Sequence, residues 1–518
     1  MKYIIAYDLG TGGTKTSLFD ENGVSRASAF TDCQTFYPHS GWHEQRPQDW
    51  WDSVVTSTRK MLGCSGVDVK DIAALAVSGH SLGVTPVAGD GRLLAEYVPI
   101  WSDTRADRQA GRFFQTVDEE DWYMTTGSGF PAALYSIFKI MWYMDEYPQL
   151  YKDTAKFIGT KDYINFRMTG VLCTDRSYAS GSGVYSLKDE GYLDSYIEAS
   201  GVKREKLPDV YPSTHVIGTI LPEAARILGL SEHTKVCAGG VDNACMALGA
   251  ACISDGEAYT SLGSSSWIAV SDSNPVVNAG KRPYVFAHCV PGQYVSATSI
   301  FSAGSSLKWV RGTICPDLLK AEEEGGRDSY DVMNELAAAS PIGANGLIFN
   351  PSLAGGSGLD KSANVRGCFT GLDLMHTRGD LIRATMEGVC MNLKLALQVL
   401  EHNTRISDEM LIVGGGGKSQ LWRQMFADIY QKNILETNVG QDAGSLGAAA
   451  VAAVGAGLWK DFSRVKEVHR LKRRIGPEPE AVLAYGRILP VFGKVADIHR
   501  IFQPESCRTS HSDCGNHQ

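Results

Sequence analysis

The sequence predicts an α/β protein that is built from two similar halves. Strand patterns alternate with helix patterns in each half. A turn rich in glycine and hydroxyl side chains joins two apolar runs near the start of the chain, at residues 10–14. A second turn of this kind, at residues 263–266, begins a repeat of the same order of elements. We therefore expect two related domains, 1–253 and 254–490, and a disordered polar tail at 504–518.

The composition is that of an ordinary globular protein. The 518 residues suffice for two or three domains, with 43% hydrophobic and 21% charged residues. The net charge of −9 argues against a nucleic-acid-binding surface. The longest apolar runs stay short of the roughly 18 residues of a membrane span, and the chain starts directly with a strand pattern, so we expect no membrane segment and no signal peptide. The twelve cysteines stand singly, which favours reduced thiols in a cytoplasmic protein over a secreted disulfide scaffold.

The turn at residues 10–14 predicts a phosphate site between two strands. Glycines let backbone N–H groups approach an anion, and Thr11 and Thr14 add hydroxyl donors. Lys15 adds a positive charge, and Asp8 at the end of the entering strand is well placed to organise Mg²⁺. The alternative is a tight hairpin without a ligand. A Walker A loop is excluded, because the chain continues as a strand and not as a helix.

The rest of the first half alternates in the same way. Polar clusters at residues 79–83 and 101–105 follow apolar strands, and strand ends are where ligands bind in open α/β sheets. The predicted elements are a helix over 48–61, a strand over 72–78, a hairpin from 84–87 and 93–100, a helix over 151–169, strands near 235–240 and a helix of small residues over 244–251.

The second half repeats this order after its own hairpin. Four glycines, Gly414 to Gly417, stand between a buried strand and a helix that starts at Gln420, which is typical of a nucleotide-binding element. The alternative is a plain strand-to-helix turn. The predicted elements are a hairpin over 257–272, a helix entered at 302–310, a strand within 346–353, a helix over 380–400 with Asp380 as its N-cap, a strand over 411–413, and helices from 420 and over 442–457.

Five separated motifs together resemble the FGGY carbohydrate kinases, and within them the xylulokinase-like branch. The resemblance covers about residues 1–490 and implies two RNase H-like domains of the actin/hexokinase type, with ATP and a sugar in the cleft between them. The motifs are Asp8-Leu9-Gly10-Thr11-Gly12, Gly239-Gly240-Val241-Asp242-Asn243, Gly263-Ser264-Ser265, Arg383-Ala384-Thr385-Met386-Glu387-Gly388 and Gly414-Gly415-Gly416-Gly417-Lys418-Ser419-Gln420-Leu421-Trp422.

The resemblance implies that Asp242 is the general base. Phosphoryl transfer needs a group that takes the proton of the acceptor hydroxyl, and Asp242 follows a strand and two glycines. An alternative role is that of a helix N-cap, which is natural for an aspartate at this place, and the residue can do both.

The resemblance also assigns the nucleotide side of the cleft. It implies that Asp8 organises Mg²⁺ and that ATP contacts three regions of the chain. The residues are Thr11, Gly12, Thr14 and Lys15 in the first phosphate loop, Gly263, Ser264 and Ser265 in the second, with Gly304 and Lys308 nearby, and Gly415, Gly416 and Ser419 in the adenosine motif.

On the sugar side, the resemblance implies contacts from residues around three strand ends. They are His80, Ser81, Trp101, Asp103, Arg105 and Asn243. A structural histidine is the alternative for His80, and a surface ion pair is the alternative for Asp103 and Arg105. This chain departs from the family at two places: Gly79-His80-Ser81 stands where xylulokinases have Met-His-Gly, and Gly355-Gly356-Ser357-Gly358 stands where many members have Gly-Glu-Arg.

The chain is thus predicted to be an ATP- and Mg²⁺-dependent sugar kinase, with D-xylulose as the first substrate to test. Ribulose, erythritol or another tetrose, or a different polyol are the alternatives within the family. A non-catalytic sugar or nucleotide sensor and an actin- or chaperone-like ATPase are the rivals outside it. The expected partner is a small sugar or polyol, with no nucleic acid and no membrane, and a homodimer is possible.

Overall fold

The computed structural model describes residues 1–356 and 365–498. The tail predicted at 504–518, and Ser357 and Gly358 of the altered signature, lie outside the described residues.

The first half runs to a helix that ends at residue 249. Its strands are β1 Tyr3–Gly10, β2 Gly13–Asp20, β3 Ser25–Asp32, β4 Glu44–Gln45, β5 Ile72–Gly79, β6 Thr85–Ala88, β7 Val98–Pro99, β8 Thr154–Ile158, β9 Cys173–Asp175, β10 Tyr185–Ser186, β11 Gly191–Tyr192, β12 Asp209–Tyr211, β13 Val216–Thr219, β14 Lys235–Cys237 and β15 Gly240–Val241. Its α-helices are α1 Pro47–Ser65, α2 Asp107–Phe113, α3 Glu119–Thr126, α4 Ser136–Glu146, α5 Pro148–Asp153, α6 Thr160–Thr169, α7 Arg176–Ser180, α8 Asp194–Ser200, α9 Pro222–Leu228 and α10 Asp242–Gly249.

The second half starts with a strand at residue 258. Its strands are β16 Ala258–Leu262, β17 Ser266–Asp272, β18 Tyr284–Ala287, β19 Tyr294–Ile300, β20 Ile348–Asn350, β21 Cys368–Thr370, β22 Glu409–Val413, β23 Asn433–Thr437 and β24 Leu471–Ile475. Its α-helices are α11 Gly304–Thr313, α12 Pro316–Glu323, α13 Ser329–Ala339, α14 Arg378–Glu401, α15 Gln420–Tyr430, α16 Ala443–Gly455, α17 Arg464–Val468 and α18 Pro479–Ile498. Short 3₁₀ turns occur at Val69–Asp71, Ala132–Leu134, Arg204–Lys206, Ala344–Gly346, Gly415–Lys418 and Gly440–Asp442.

The two large sheets have the same topology, which confirms the predicted internal repeat. In the first, β1, β2 and β3 form an antiparallel meander, and β1 continues in parallel to β5 and β14. In the second, β16, β17 and β19 form the meander, and β16 continues in parallel to β22 and β23. The architecture is therefore the predicted α/β fold with two domains.

One of the hydrophobic clusters spans both halves. Helix α16 of the second half packs against α10 and against β1 and β5 of the first sheet. The helices touch backbone to backbone, because an added Cβ at Gly447 would lie 1.7 Å from the carbonyl oxygen of Cys245. Side chains of β1, β5, α10 and α16 belong to one buried cluster, which joins the two halves.

Three details differ from the sequence predictions. Helix α14 is capped by Thr377, and Asp380 is the third residue of a capping box, because its carboxylate accepts the N–H of Thr377. The helix predicted over 151–169 is interrupted by β8, which pairs with β6. The hairpin predicted at 84–100 is reduced to a tight turn, and only Val98–Pro99 forms a strand on its far side.

One further property concerns membranes. In the described part of the chain, helices that are long and apolar enough to cross a bilayer do not occur.

Candidate active site

Asp242 is the first residue of α10 and lies where the two halves meet. One of its carboxylate oxygens accepts the N–H of Asn243 at 2.8 Å, while Val241 occupies the N-cap position. Burial raises the pKa of Asp242 to about 7, and the nearby carboxylate of Asp8 adds to the rise. Burial and the charge of Asp242 also raise the pKa of Tyr284, which lies on β18 of the second half. Asp242 therefore faces the junction between the halves.

Asp8 lies on β1 beside the start of helix α16. A Cβ added at Gly444 would lie 2.8 Å from a carboxylate oxygen of Asp8, so a glycine is needed there. Ser78 donates a hydrogen bond to the other oxygen at 3.3 Å. Burial raises the pKa of Asp8, although Lys15 and Ser78 act in the opposite direction. The carboxylate of Asp8 is thus close enough to Asp242 to raise the pKa of Asp242.

The first predicted phosphate loop connects β1 and β2. The carbonyl of Thr11 accepts a hydrogen bond from Gln45 at 2.7 Å, which anchors the turn. A Cβ at Gly12 would meet nothing within 4 Å, so this side of the turn is open. The hydroxyl of Thr14 is buried against Ser53 of α1 at 2.6 Å, and therefore faces away from the open side.

Lys15 is paired across the cleft with Asp442. Asp442 ends the 3₁₀ turn Gly440–Asp442, directly before α16. Both side chains are partly exposed, at 28% and 38%. The pair connects a loop of the first half to a turn of the second half.

The second predicted phosphate loop connects β16 and β17. Its turn is closed by the N–H of Gly263, which donates to Ser265 at 3.0 Å. The N–H of Gly304 donates to the carbonyl of Gly263 at 2.9 Å, so the start of α11 lies against this loop. Lys308 follows one turn later on α11, and its side chain is exposed. The structure thus brings Gly263, Ser264, Ser265, Gly304 and Lys308 into one region.

The glycine run after β22 lies beside that loop. Gly414 and Gly416 both approach Leu262, the last residue of β16, and a Cβ at Gly416 would lie 2.5 Å from its side chain. Gly415 is open apart from Gln441. Ser419 is the N-cap of α15 and bonds to Asn334 at 2.9 Å, so its hydroxyl has a structural role.

His80 and Ser81 follow β5 on the first half. Both are buried, at 3% and 7% exposure. The Nδ1 of His80 lies 3.2 Å from the hydroxyl of Thr160, and its Nε2 is buried without a hydrogen-bond partner in the part of the chain that the structure describes. Burial, together with the charge of Lys139, lowers the pKa of His80 to about 4, so the ring is neutral near pH 7.

The segment at 101–105 is held by its own internal bonds. Trp101 donates to the hydroxyl of Thr11 at 2.9 Å, which links this segment to the first phosphate loop. Arg105 forms ion pairs with Asp103 at 2.8 Å and with Glu44 at 2.7 Å, and its guanidinium lies 3.8 Å from the ring centre of Trp42. The side chains of Arg105 and Asp103 are 2% and 0% exposed, so the surface ion pair considered from the sequence is wrong.

Comparison with known protein families places both halves of the chain in one family. Residues 3–249 match the N-terminal domain of the FGGY family of carbohydrate kinases, and residues 258–456 match its C-terminal domain. The chain belongs to the FGGY family of carbohydrate kinases. It is therefore a phosphotransferase that acts on a carbohydrate, and the family implies ATP as the phosphate donor.

Relatives in this family carry more than one substrate name. The chain is 30% identical to a protein named xylulose kinase from Bacillus subtilis (strain 168), over 90% of this chain and 91% of the relative. The structure titled ligand-bound xylulose kinase from Lactobacillus acidophilus matches with a TM-score of 0.87 and 26% identity, over 98% and 100% of the two chains. The structure titled gluconate kinase from Lactobacillus acidophilus matches with a TM-score of 0.87 and 27% identity, over 98% and 99%.

Sequence reasoning missed several residues that shape the site. Asp442 and Gln441 lie beside Lys15 and Gly415, and the sequence offered no signal for either contact. Lys139 was also missed, although a lysine within the apolar run 137–143 is a visible signal for a buried cation.

Proposed function

We propose that the protein transfers the γ-phosphate of ATP to a hydroxyl of a ketopentose, with D-xylulose as the first candidate and Asp242 as the general base. The observation that carries the proposal is the place of Asp242, half-buried at the junction of the halves with a pKa raised to about 7. A general base works best when its pKa is close to the operating pH, because it then accepts a proton readily and is still available as the carboxylate.

The proposed step moves one proton and one phosphoryl group. The acceptor hydroxyl gives its proton to a carboxylate oxygen of Asp242, its oxygen bonds to the γ-phosphorus, and the bond from that phosphorus to the β–γ bridging oxygen breaks to release ADP. Asn243, next to Asp242 on α10, orients the hydroxyl. The backbone N–H groups of the loops at 10–14 and 263–266 hold the negative charge that spreads over the phosphoryl oxygens.

We also propose that the site works with Mg²⁺. Asp8 supplies a carboxylate oxygen of the kind that this ion prefers, and a Mg²⁺ site next to a nucleotide needs only one or two of them. Asp8 would hold the ion through water, and the bound ion would neutralise phosphate charge. The raised pKa of Asp8 supports this role, because Lys15 and Ser78 only partly offset the effect of burial and a cation would stabilise the carboxylate further.

A neutral sugar fits the predicted sugar side better than a sugar acid does. A gluconate kinase is the second candidate, because a structure with that title matches as well as the xylulose kinase does. Binding of an acid would favour an available cation, yet Arg105 is buried and already paired with Asp103 and Glu44. His80 is neutral near pH 7. Neither residue therefore offers a free positive charge to a carboxylate, which supports a ketose over gluconate as the substrate.

A coupled assay of ADP release tests the proposal. The panel contains D-xylulose, D-ribulose, erythritol, glycerol and D-gluconate, each with ATP and Mg²⁺. We expect the highest kcat/KM with D-xylulose or another ketose. Failure of the folded protein to turn over D-xylulose and D-ribulose would refute the proposed ketopentose substrate, and highest activity with gluconate would refute the choice of a neutral sugar.

An Asp242→Asn variant tests the role of the base. The substitution keeps the size and removes proton acceptance, so we expect turnover to fall at least a thousandfold while ATP still binds in calorimetry. A sugar sensor would instead bind sugar without ADP release in the wild type.

The homodimer and the cytoplasmic location remain predictions, which sedimentation and cell fractionation can test.

A further inference from the structure

Lys139 is a fully buried lysine in α4, with 0% exposure. Its ammonium donates three hydrogen bonds, all to backbone carbonyl oxygens. The acceptors are Leu82 at 3.0 Å, Ile100 at 2.8 Å and Leu134 at 2.8 Å. An ammonium has three donors, so this geometry uses all of them.

Two of these carbonyls belong to the segments predicted to contact the sugar. Leu82 directly follows His80 and Ser81, and Ile100 directly precedes Trp101. The two segments are separate in sequence, and one side chain bonds to the backbone of both. The distance between His80 and Trp101 is therefore fixed through Lys139.

Stability alone does not explain a cation at this place. Burial lowers the pKa of Lys139 to about 7, which means that the surroundings disfavour its charge. Another buried lysine, Lys161, is neutralised by Asp162 at 2.5 Å and Asp175 at 2.9 Å, whereas Lys139 hydrogen-bonds to neutral carbonyls, and the nearby charge of Asp103 only partly offsets its burial. A buried charge is commonly no better for stability than an apolar side chain of the same size, so its value lies in the geometry that it imposes.

The turn that Lys139 holds is strained and carries an unsatisfied group. Leu82 has a φ of 62°, in the left-handed region that side-chain-bearing residues rarely adopt. His80, two residues earlier, presents its buried Nε2 without a partner among the described residues. Strained backbone that is fixed by its surroundings is a frequent feature of binding sites. The bond from Lys139 to the carbonyl of Leu82 is one of the contacts that fix it.

We propose that Lys139 is a positioning residue for the sugar: it holds the His80–Ser81 turn and the Trp101 segment at the spacing that the substrate requires. The proposal rests on the proposed function. Lys139 does not touch the sugar in this role, because its donors are all used by the backbone. Its loss raises the KM for the sugar more than the KM for ATP, since Lys139 does not bond to the phosphate loops directly and is connected to the loop at 10–14 through Trp101, which donates to the hydroxyl of Thr11.

Steady-state kinetics of Lys139→Met and Lys139→Arg test this role. Methionine keeps the length of the side chain and removes the donors, so we expect the KM for the best sugar of the panel to rise at least tenfold while the KM for ATP stays within twofold. Arginine keeps the charge and the donors but is wider, so we expect a rise of two- to fivefold in the sugar KM. The partial rescue by arginine distinguishes hydrogen bonding from mere filling of space.

Lys206→Met is the matched control. The ammonium of Lys206 is also buried and donates to backbone carbonyls, those of Lys152 at 3.0 Å and of Thr154. These acceptors lie at the far end of β8 from Thr160, the partner of His80. We expect Lys206→Met to leave the KM for the sugar and the KM for ATP unchanged.

The outcomes separate the two claims. If the wild type turns over a sugar but its KM is unchanged in both Lys139 variants, the positioning role is wrong and the kinase proposal stands. An equal rise in the KM for sugar and for ATP, or a rise that Lys206→Met shares, also overturns it. If Lys139→Met does not fold, the Lys139→Arg ratio of sugar KM to ATP KM decides. If the wild type turns over no sugar, both proposals fail.

Discussion

Replacing Asp242 by asparagine is expected to stabilise the protein above pH 7, although it removes activity. The pKa of Asp242 is raised from 3.8 to about 7. A raised acid pKa means that the folded state holds the proton more tightly than the unfolded state does. The contribution of Asp242 to stability is therefore fully present below pH 4 and is lost as the pH rises through 7. Asparagine does not ionise, so the variant escapes this loss.

The size of the effect follows from the shift. Each pKa unit corresponds to about 1.4 kcal/mol, so three units set an upper bound of about 4 kcal/mol at pH 8. The side chain keeps some contact with solvent, and a carboxylate at the start of α10 gains about 0.5 kcal/mol from the helix dipole that asparagine forgoes. We therefore expect a net gain of about 1–2 kcal/mol, or an increase of about 1–2 °C in the melting temperature of a chain of this length.

Thermal unfolding followed by circular dichroism measures this, with EDTA and without ligands. Wild type and Asp242→Asn are compared from pH 5 to pH 8 at one scan rate, because unfolding of a large chain is often irreversible. The gap between the two melting temperatures should widen as the pH rises. A gap that does not change with pH, or a less stable variant at pH 8, would refute the reasoning.

Three further predictions concern other parts of the chain. Asp380→Asn should change the stability in the opposite direction. Burial raises the pKa of Asp380, but hydrogen bonds from Ser340, Thr377 and Asn345 outweigh this effect and lower the pKa to about 2. The variant should therefore lose about 2 kcal/mol of unfolding free energy in urea at pH 7 and nothing near pH 2. Asp442→Ala should free Lys15 to bind phosphate and lower the KM for ATP up to fivefold, since a half-exposed ion pair is worth up to about 1 kcal/mol. Lys15→Met should instead raise the KM for ATP. Equal shifts of this KM in the two variants would contradict the prediction. Gly447→Ala should cost more than about 3 kcal/mol or prevent folding, because its Cβ would enter the backbone of α10, while Gly486→Ala on an open face of α18 should be neutral or stabilising in the same unfolding assay.

Local patterns predicted the elements that carry the loops. The hairpins around Gly12 and Gly263 and the strand before Gly414 follow from apolar runs that end in glycines, and the structure forms all three. The N-cap of α14 was misplaced because Thr377 and Asp380 are both capping residues, and only the bonds between them distinguish their positions. The short apolar run that forms β8 was read as helix, since it becomes a strand only by pairing with β6.

Contacts between distant parts of the chain were beyond sequence reasoning. Lys15 and Asp442 are 427 residues apart, and neither has a local pattern that indicates the other. The same holds for Lys139, whose acceptors come from three segments and offer only backbone atoms. Every residue has a backbone carbonyl, so the sequence does not indicate which carbonyls accept the hydrogen bonds of a buried lysine.

The packing of α16 against the first sheet also affects how the chain folds during synthesis. The apolar face of β1 and β5 is completed by a helix of the second half, which is synthesised well after those strands. Until then the nascent amino-terminal half exposes a surface prone to aggregation. A fragment that stops at residue 253 would carry that exposed face permanently, so separate expression of the halves should yield soluble material only when both are produced together.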